Sequence, residues 1–186
     1  MTRGRNRKNP QYPDISLLED VVSEKILQAM RRASEQLTSM KVRHALVGAL
    51  AIGAHGYPRA TRDVDFLVGE EAFQHFSGGL IAIASGIPIA VGDIPVDPIS
   101  IAPGEDHLEA AIDSPAVSHG IPVAPLEAIL YMKLKSRRQK DAVDVLELLK
   151  TGIDAAPARK YLQQHAPELV SKFDAIVERS IQELEE

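Results

Sequence analysis

The sequence predicts an α/β domain in which a short mixed β-sheet is flanked by helices and followed by a helical C-terminal region. Residues 41–124 contain short apolar segments with strand-like alternation, interspersed with short helical segments. Residues 125–186 carry apolar side chains at helical spacing instead. The chain has 186 residues, of which 45% are hydrophobic, and this is enough for one buried core. We therefore expect residues 14–186 to form a single domain.

A basic segment precedes this domain at residues 1–13. It contains no acid and almost no apolar residue, and its cations are Arg3, Arg5, Arg7 and Lys8. Such a segment cannot bury much surface, so we expect a disordered arm. The arm is either a solvated tail or a contact for RNA.

One long amphipathic helix is predicted over residues 16–40. Ser16 and Glu19 have the spacing of a capping box, in which the two side chains satisfy free backbone N–H groups at a helix start. Apolar residues then recur at helical spacing up to Met40.

Shorter elements follow and alternate in type. We predict a strand at 43–47, a turn at Gly48, a helix at 50–55, a strand at 63–68 and a helix at 70–76. Residues 80–102 are rich in Ile, Val, Pro and Gly and indicate strands that lie at a sheet edge or are interrupted, because proline cannot donate to a ladder. The remaining predictions are a helix at 105–112, a strand at 120–123, an apolar helix from 125, and two terminal helices separated near 166–167.

Two carboxylates lie at the start of the strand at 63–68. Side chains alternate along a strand, so Asp63 and Asp65 project from one face while Val64, Phe66 and Val68 project from the other. A pair of this kind can chelate a hard divalent cation such as Mg²⁺, which prefers oxygen ligands. The pattern alone also occurs at solvated rims and capping turns. Upstream, however, Gly48 lies between a strand and a helix, where a backbone without a β-carbon can approach an anion closely.

A third carboxylate is expected from the proline-rich segment. Asp97 is an isolated acid in an otherwise apolar strand, where it is costly unless it is paired or bound to a metal. Asp93 is the competing candidate, but its place in a Gly-Asp turn is ordinary turn chemistry. We therefore favour Asp97.

The segment 47–68 resembles the signature of the nucleotidyltransferase fold superfamily, in which a Gly-Gly or Gly-Ser turn precedes an Asp-x-Asp or Asp-x-Glu strand by about a dozen residues. The residues of this segment are most similar to those of the bacterial minimal and AbiEii-like toxin nucleotidyltransferases. The resemblance implies a nucleotidyltransferase fold. It also implies that Asp63, Asp65 and Asp97 are the catalytic residues and hold Mg²⁺ or Mn²⁺, and that Asp97 helps to deprotonate an attacking hydroxyl.

A second part of the resemblance lies in residues 125–145. AbiEii-like proteins have a similar apolar helix with a Lys, then an Arg, then an Asp-x-x-Asp, which here are Lys133, Arg137 or Arg138, and Asp141 with Asp144. On one continuous helix the charged side chains would cluster, and these are Lys133, Arg137, Lys140, Asp141 and Asp144. A break at residues 135–140 would still leave the cations near the acids. The alternative to a functional cluster is an ion-paired, exposed helix face.

Six residues are candidates for nucleotide binding: Gly48, Ala49, Arg59, Thr61, Lys133 and Asp141. Lys133 would meet the triphosphate as a compact point charge, with Asp141 orienting it. Arg59 and Thr61 lie just ahead of the metal strand and are either phosphate contacts or a local salt bridge and a turn hydroxyl. Position 49 is Ala where the superfamily has Gly or Ser, so only backbone donors are available there.

The implied reaction is Mg²⁺-dependent transfer of a nucleoside monophosphate from a nucleoside triphosphate to an acceptor hydroxyl on a tRNA, a protein or a small molecule. The chain would then be an enzyme and could serve as the toxin of a toxin–antitoxin pair, with an antitoxin partner. Ala49 leaves open a catalytically weak nucleotide-binding or regulatory module of the same fold.

Composition excludes several other classes. Cysteine is absent, and the six histidines are dispersed without the spacing of a zinc site. The net charge of −5 argues against a generally basic surface that coats nucleic acid. No apolar run has membrane-spanning length and no signal peptide is recognisable, so we expect a cytoplasmic protein without membrane contact.

Overall fold

The structure is a computed structural model that describes residues 12–186. All but the last two residues of the predicted basic arm, 1–13, lie outside the described residues. The predicted α/β class, with a short mixed sheet, flanking helices and a helical C-terminal region, is confirmed. Within residues 12–186, no helix has both the length and the apolar character that crossing a bilayer requires.

Eight short strands form two sheets in the described chain. They are β1 (His44–Leu46), β2 (Val64–Val68), β3 (Phe73–His75), β4 (Ile81–Ile83), β5 (Ala90–Val91), β6 (Ile94–Ser100), β7 (Ala116–Ser118) and β8 (Ile121–Val123). The main sheet has the order β5-β6-β2-β1-β8-β7, and β3 with β4 forms a separate hairpin. The pairs β2–β6 and β1–β8 are parallel, and the other neighbours are antiparallel.

The described chain has seven α-helices. They are α1 (Glu24–Ser39), α2 (Gly48–Ala54), α3 (Glu109–Asp113), α4 (Leu126–Lys135), α5 (Gln139–Lys150), α6 (Ala156–His165) and α7 (Val170–Glu185). Helix α1 packs on β6, while α4 packs on α5 and α6, and α5 packs on α7. Phe66 on β2 and Phe173 on α7 are among the largest fully buried side chains of the core. The two terminal helices separate at 166–169, close to the predicted break.

The predicted helix at 16–40 is wrong in its first part. Residues Ile15–Leu18 form a 3₁₀ turn, and α1 begins only at Glu24. Asp14 caps the 3₁₀ turn by accepting hydrogen bonds from the backbone N–H and the hydroxyl of Ser16, so the predicted capping box does not form. Leu18 is fully buried and lies so close to Gly53 that a Cβ there would be 2.4 Å from its Cδ2. This tertiary contact turns the chain where local periodicity predicts a continuous helix.

The predicted helix at 70–76 is also wrong. A 3₁₀ turn at Glu70–Ala72 leads directly into β3, which pairs with β4. The pairing partner lies across a Gly-Gly turn at 78–79, so the local pattern of 70–76 does not reveal it. The strand β7 was not predicted because Val117 projects into solvent and the segment lacks a buried apolar face.

The prolines of β6 were expected to place it at a sheet edge or to interrupt it, yet β6 is continuous and lies between β5 and β2. The backbone N–H of Val96 points away from β2 and donates to the carbonyl of Ile89 at 3.0 Å. Residues two apart in a strand point to the same side, so an N–H at position 98 would also point away from β2. The outer neighbour β5 pairs only with Ile94 and Pro95. Pro98 therefore lacks a donor where no strand needs one.

Candidate functional site

The parallel pair β2 and β6 brings three carboxylates together. Asp65 and Asp97 are direct partners in the register of the two strands, and Asp63 precedes β2 by one residue. One carboxylate oxygen from each lies within 4.8 Å of the others. In the described part of the chain, no other group of three or more His, Asp or Glu side chains converges in this way. Three oxygen ligands at this spacing suit a hard divalent cation.

The alternation predicted for β2 holds around the acids. Val64 and Phe66 are fully buried in the core, whereas Asp65 is half-buried and faces a cleft. Burial raises the pKa of Asp65 to about 6, and the nearby charges of Asp63 and Asp97 contribute to this rise. A bound cation would relieve both effects, so this electrostatic environment fits a metal.

Gly48 determines how closely helix α2 approaches these acids. Its φ is +67°, and a Cβ at this position would lie 1.8 Å from Oδ2 of Asp65. Any side chain would therefore collide with the carboxylate itself. The backbone N–H of Val47 donates to the carbonyl of Asp65 at 3.0 Å and fixes the two segments together. Ala49 follows in the same cleft and offers no side-chain donor.

Thr61 holds the first carboxylate of the site. Its hydroxyl donates to Oδ1 of Asp63 at 2.6 Å. The predicted alternatives for Thr61 are a phosphate contact and a turn hydroxyl. The hydrogen bond to Asp63, two residues away, corresponds to the turn hydroxyl. It leaves the other oxygen of Asp63 available to a ligand.

A cleft of about 390 Å³ opens beside the carboxylates. One part of its lining comes from the start of α2 and from β2 and β6, and another part comes from α4, α5 and the turn between them. Helix α4 ends at Lys135 and α5 begins at Gln139, so the predicted alternative of two helices is the one that forms. All nine predicted site residues line this cleft: Gly48, Ala49, Arg59, Thr61, Asp63, Asp65, Asp97, Lys133 and Asp141.

Four of the charged residues around the cleft form one connected chain of hydrogen bonds. Arg59 donates to both oxygens of Asp144, at 2.6 and 2.8 Å. Lys133 donates to Asp141 at 2.6 Å and to Asp144 at 2.8 Å, which links α4 to α5 across the turn. Burial alone would raise the pKa of Asp144, but the hydrogen bonds from Arg59 and Lys133 outweigh it and lower the pKa. The network, which we call the Lys133 quartet, contains two cations and two anions and is locally neutral.

Two further cations line the cleft without such partners. Among the described residues, the side chains of Arg138 and Lys140 make no hydrogen bond or ion pair. Their charges are therefore available to an anionic ligand, whereas those of Arg59 and Lys133 are already neutralised within the quartet.

Sequence reasoning missed Asp144 as the partner of Arg59 and did not include Lys140 among the site residues. Asp144 lies 85 positions from Arg59, and only the fold reveals the pair. A local signal did exist, since Asp144 is one helical turn from Asp141 and shares its face. The competing acid Asp93 lies outside the cluster and forms an exposed ion pair with Lys25 at 2.6 Å.

No family model matches this chain, and no curated protein matches it either. Among solved structures, it is similar to an antigenic nucleotidyltransferase-like protein from Paracoccidioides brasiliensis. The two chains are 15% identical, the match covers 84% of this chain and 94% of that chain, and the TM-score is 0.47. A similarity of this size does not reveal what the cleft binds, which has to be inferred from its side chains.

Proposed function

We propose that this chain is a nucleotidyltransferase that moves a nucleoside monophosphate from a nucleoside triphosphate to an acceptor hydroxyl and releases pyrophosphate. The convergence of Asp63, Asp65 and Asp97 on one cleft is the observation that carries the proposal. Reactions of this type need carboxylates that hold divalent cations against the phosphates of the substrate. The resemblance of residues 47–68 to the nucleotidyltransferase signature supports the same conclusion.

The three carboxylates would hold Mg²⁺ or Mn²⁺. When bound, the ion supplies charge neutralisation for the triphosphate and for the developing negative charge. Oxygen-only ligands favour these ions over zinc, and a bound cation would offset the burial that raises the pKa of Asp65. Asp63 would be held in place by Thr61.

Asp97 is suited to accept the proton of the acceptor hydroxyl, because it is the most exposed of the three acids. The hydroxyl oxygen forms a bond to the α-phosphorus, and the bond from that phosphorus to the bridging oxygen of the β-phosphate breaks. The proton passes to Asp97, and the electron pair leaves with pyrophosphate. The protein contributes mainly by aligning the two oxygens and by neutralising charge.

The triphosphate would be held by Arg138 and Lys140 rather than by Lys133. Both unpaired cations line the cleft that contains the acids. The predicted role of Lys133 at the triphosphate would require it to leave two carboxylates at 2.6 and 2.8 Å. The turn between α4 and α5, residues 136–138, is called the elbow. We therefore propose that Lys133 holds α4 and α5 together at the elbow, and that Asp141 anchors Lys133 there.

Calorimetry with each of the four nucleoside triphosphates, with and without Mg²⁺, tests the proposal. We expect metal-dependent binding that Asp65→Asn abolishes and that Asp93→Asn leaves unchanged, since Asp93 is an acid outside the cleft. Incubation with α-labelled triphosphates and fractionated cell lysate should then label an acceptor. Absence of metal-dependent binding for every triphosphate would contradict the proposal.

Ala49 favours a second candidate, a nucleotide-binding or regulatory module without turnover. Its side chain cannot donate to a phosphate, although it lines the cleft. Metal-dependent binding without labelling of any lysate fraction would support this alternative. Ala49→Ser would then be expected to strengthen triphosphate binding by restoring a hydroxyl donor.

The acceptor and the biological role extend the proposal further. A tRNA, a protein and a small molecule would each carry the label into a different lysate fraction, so the same experiment distinguishes them. The AbiEii-like resemblance supports growth arrest as the role, with an antitoxin as partner. Induction of the wild-type chain should then slow growth, and induction of Asp65→Asn should not.

A further inference from the structure

Two of the described side chains that line the cleft carry a hydroxyl, and both hydroxyls are already hydrogen-bonded. Thr61 donates to Asp63 at 2.6 Å. The hydroxyl of Ser136 accepts the backbone N–H of Arg138 at 3.2 Å and donates to the carboxylate of Asp141. A hydroxyl has one proton to donate, and in both residues that proton is bound within the protein. The two hydroxyls therefore hold the walls of the cleft in place.

The charged side chains of the cleft each have a partner or a proposed ligand. Three acids converge where the divalent cation would bind. Arg59, Lys133 and Asp141 belong to the Lys133 quartet, whose members neutralise one another. Arg138 and Lys140 would meet the phosphate groups of the triphosphate. In the part of the chain that the structure describes, metal, quartet and phosphates thus account for the whole charged lining of the cleft.

An apolar wall, made by Ile99, Ile129 and Met132, completes the lining of the cleft. Ile129 and Met132 are three residues apart on α4 and share one face of the helix. Ile99 lies two residues after Asp97 on β6 and projects from the same side of the strand. Ile129 is buried, whereas Ile99 and Met132 are half-buried and present apolar surface to the cleft. Residues 47–49 also line the cleft, but they lie beside the acids. The apolar wall is therefore the surface that remains for a base and a ribose.

Apolar contact distinguishes one base from another poorly. Adenine and guanine share a ring system and differ in the donors and acceptors along their edges, and the same holds for cytosine and uracil. A site that hydrogen-bonds such an edge rejects the wrong base strongly, because its own polar groups are then left unpaired, whereas an apolar site discriminates far less. The thioether of Met132 reduces discrimination further, because an unbranched and polarisable side chain adapts to rings of different outline.

We propose that the cleft accepts the triphosphates of all four nucleosides and does not distinguish between bases of the same ring size, with Met132 as the residue that contacts the nucleoside. The inference rests on the proposed function and specifies its substrate class. Recognition then comes from the triphosphate, which all four substrates share and which Arg138, Lys140 and the metal would bind.

Calorimetry of the full chain with Mg²⁺ and each of ATP, GTP, CTP and UTP tests the proposal. ATP and GTP have the same ring size, as do CTP and UTP, so the ratio of Kd values within each pair isolates the edge of the base from its area. We expect the two Kd values of each pair to agree within about threefold. Metal-dependent binding with a larger ratio in either pair would overturn the inference and leave the proposed function intact. Absence of metal-dependent binding for all four would instead contradict the proposed function.

Met132→Ala tests the contact with the nucleoside, with inorganic tripolyphosphate as a probe that has no nucleoside. The variant should weaken the binding of all four triphosphates by a similar factor of about 3–10, because it removes apolar surface from the wall, and should leave tripolyphosphate binding unchanged. Met40→Ala is the matched control, since Met40 lies at the end of α1 and outside the cleft. It should bind all five ligands normally. Equal weakening of tripolyphosphate by Met132→Ala, weakening of some triphosphates but not others, or no weakening at all would each overturn the proposal.

Discussion

At the residue scale, Gly48 and Asp65 depend on each other atom by atom. The carboxylate can occupy its place only because position 48 has no Cβ, and the left-handed φ of +67° there also favours glycine. The space left by Gly48 is thus occupied by the charged group of Asp65. Substitutions at these two residues should separate the contribution of space from that of charge.

We predict that Gly48→Ala abolishes metal-dependent triphosphate binding. The new Cβ would lie 1.8 Å from Oδ2 of Asp65 and must displace it. Gly92→Ala is the control, since Gly92 has nearly the same φ, +63°, but a Cβ at that position would have no neighbour within 4 Å. The control should cost only the strain of a left-handed residue, about 1–2 kcal/mol in urea unfolding, and bind nucleotide normally. Equal loss of binding in both variants would contradict this explanation.

We predict that Asp65→Asn stabilises the metal-free protein at pH 8. Burial raises the pKa of Asp65 from 3.8 to about 6, so its contribution to stability is present below the unfolded value and is lost as pH rises through 6. Removing the charge should raise the free energy of unfolding by up to about 3 kcal/mol at pH 8 and change little at pH 3.5. Urea unfolding at the two pH values, in the presence of a chelator, measures this difference.

Asp93→Asn is the control, because removal of this charge should change the free energy of unfolding in the opposite direction. A hydrogen bond from Lys25 lowers the pKa of Asp93, so its charge favours folding. This variant should not gain stability at pH 8. If Asp65→Asn behaved in the same way, burial would not be destabilising the charged form of Asp65.

At the scale of elements, the strands themselves were predictable where the local sequence carries a signal. The apolar face of β2 and the isolated acid of β6 indicated two strands that each carry an acid, but only the parallel register shows that Asp65 and Asp97 lie opposite each other. The start of α1 was not predictable, because Leu18 leaves the helical path to pack on Gly53, a contact between distant segments. The link from Arg59 to Asp144 was hidden for the same reason. Periodicity reports local preference, whereas these features depend on the assembled core.

The elbow between α4 and α5 gives a prediction that separates Lys133 from Lys140. Lys133→Met should lower the free energy of unfolding by about 3–5 kcal/mol, because it leaves two buried carboxylates with one cation fewer. Lys140→Gln should leave unfolding nearly unchanged and weaken triphosphate binding about tenfold. Urea unfolding and calorimetry of the two variants test this division. If the Lys133→Met variant is folded and stable but has lost triphosphate binding, Lys133 binds the phosphate as the sequence predicts.

At the scale of the whole molecule, the cleft joins parts of the chain that are far apart in sequence. Its lining comes from the sheet and α2 on the one hand, and from the α4–α5 elbow on the other. Without a ligand, the Lys133 quartet connects these parts near the cleft. Within it, Arg59 precedes β2 and its partner Asp144 lies on α5. A ligand that contacts both parts would add a second connection and should stabilise the fold as a unit.

We therefore predict that Mg²⁺ with a bound triphosphate protects the elbow at residues 136–138 from hydrogen exchange, although the proposed metal ligands lie just before β2, on β2 and on β6. At a ligand concentration of about 100 times the Kd, the free energy of unfolding should also rise by about 2.7 kcal/mol. Mg²⁺ alone should protect the strands but not the elbow, because only the triphosphate would reach Arg138 and Lys140. Hydrogen exchange followed by mass spectrometry distinguishes the two patterns, with Asp65→Asn as the variant that should show neither. Protection of the elbow by Mg²⁺ alone would mean that the phosphate groups do not bridge the cleft.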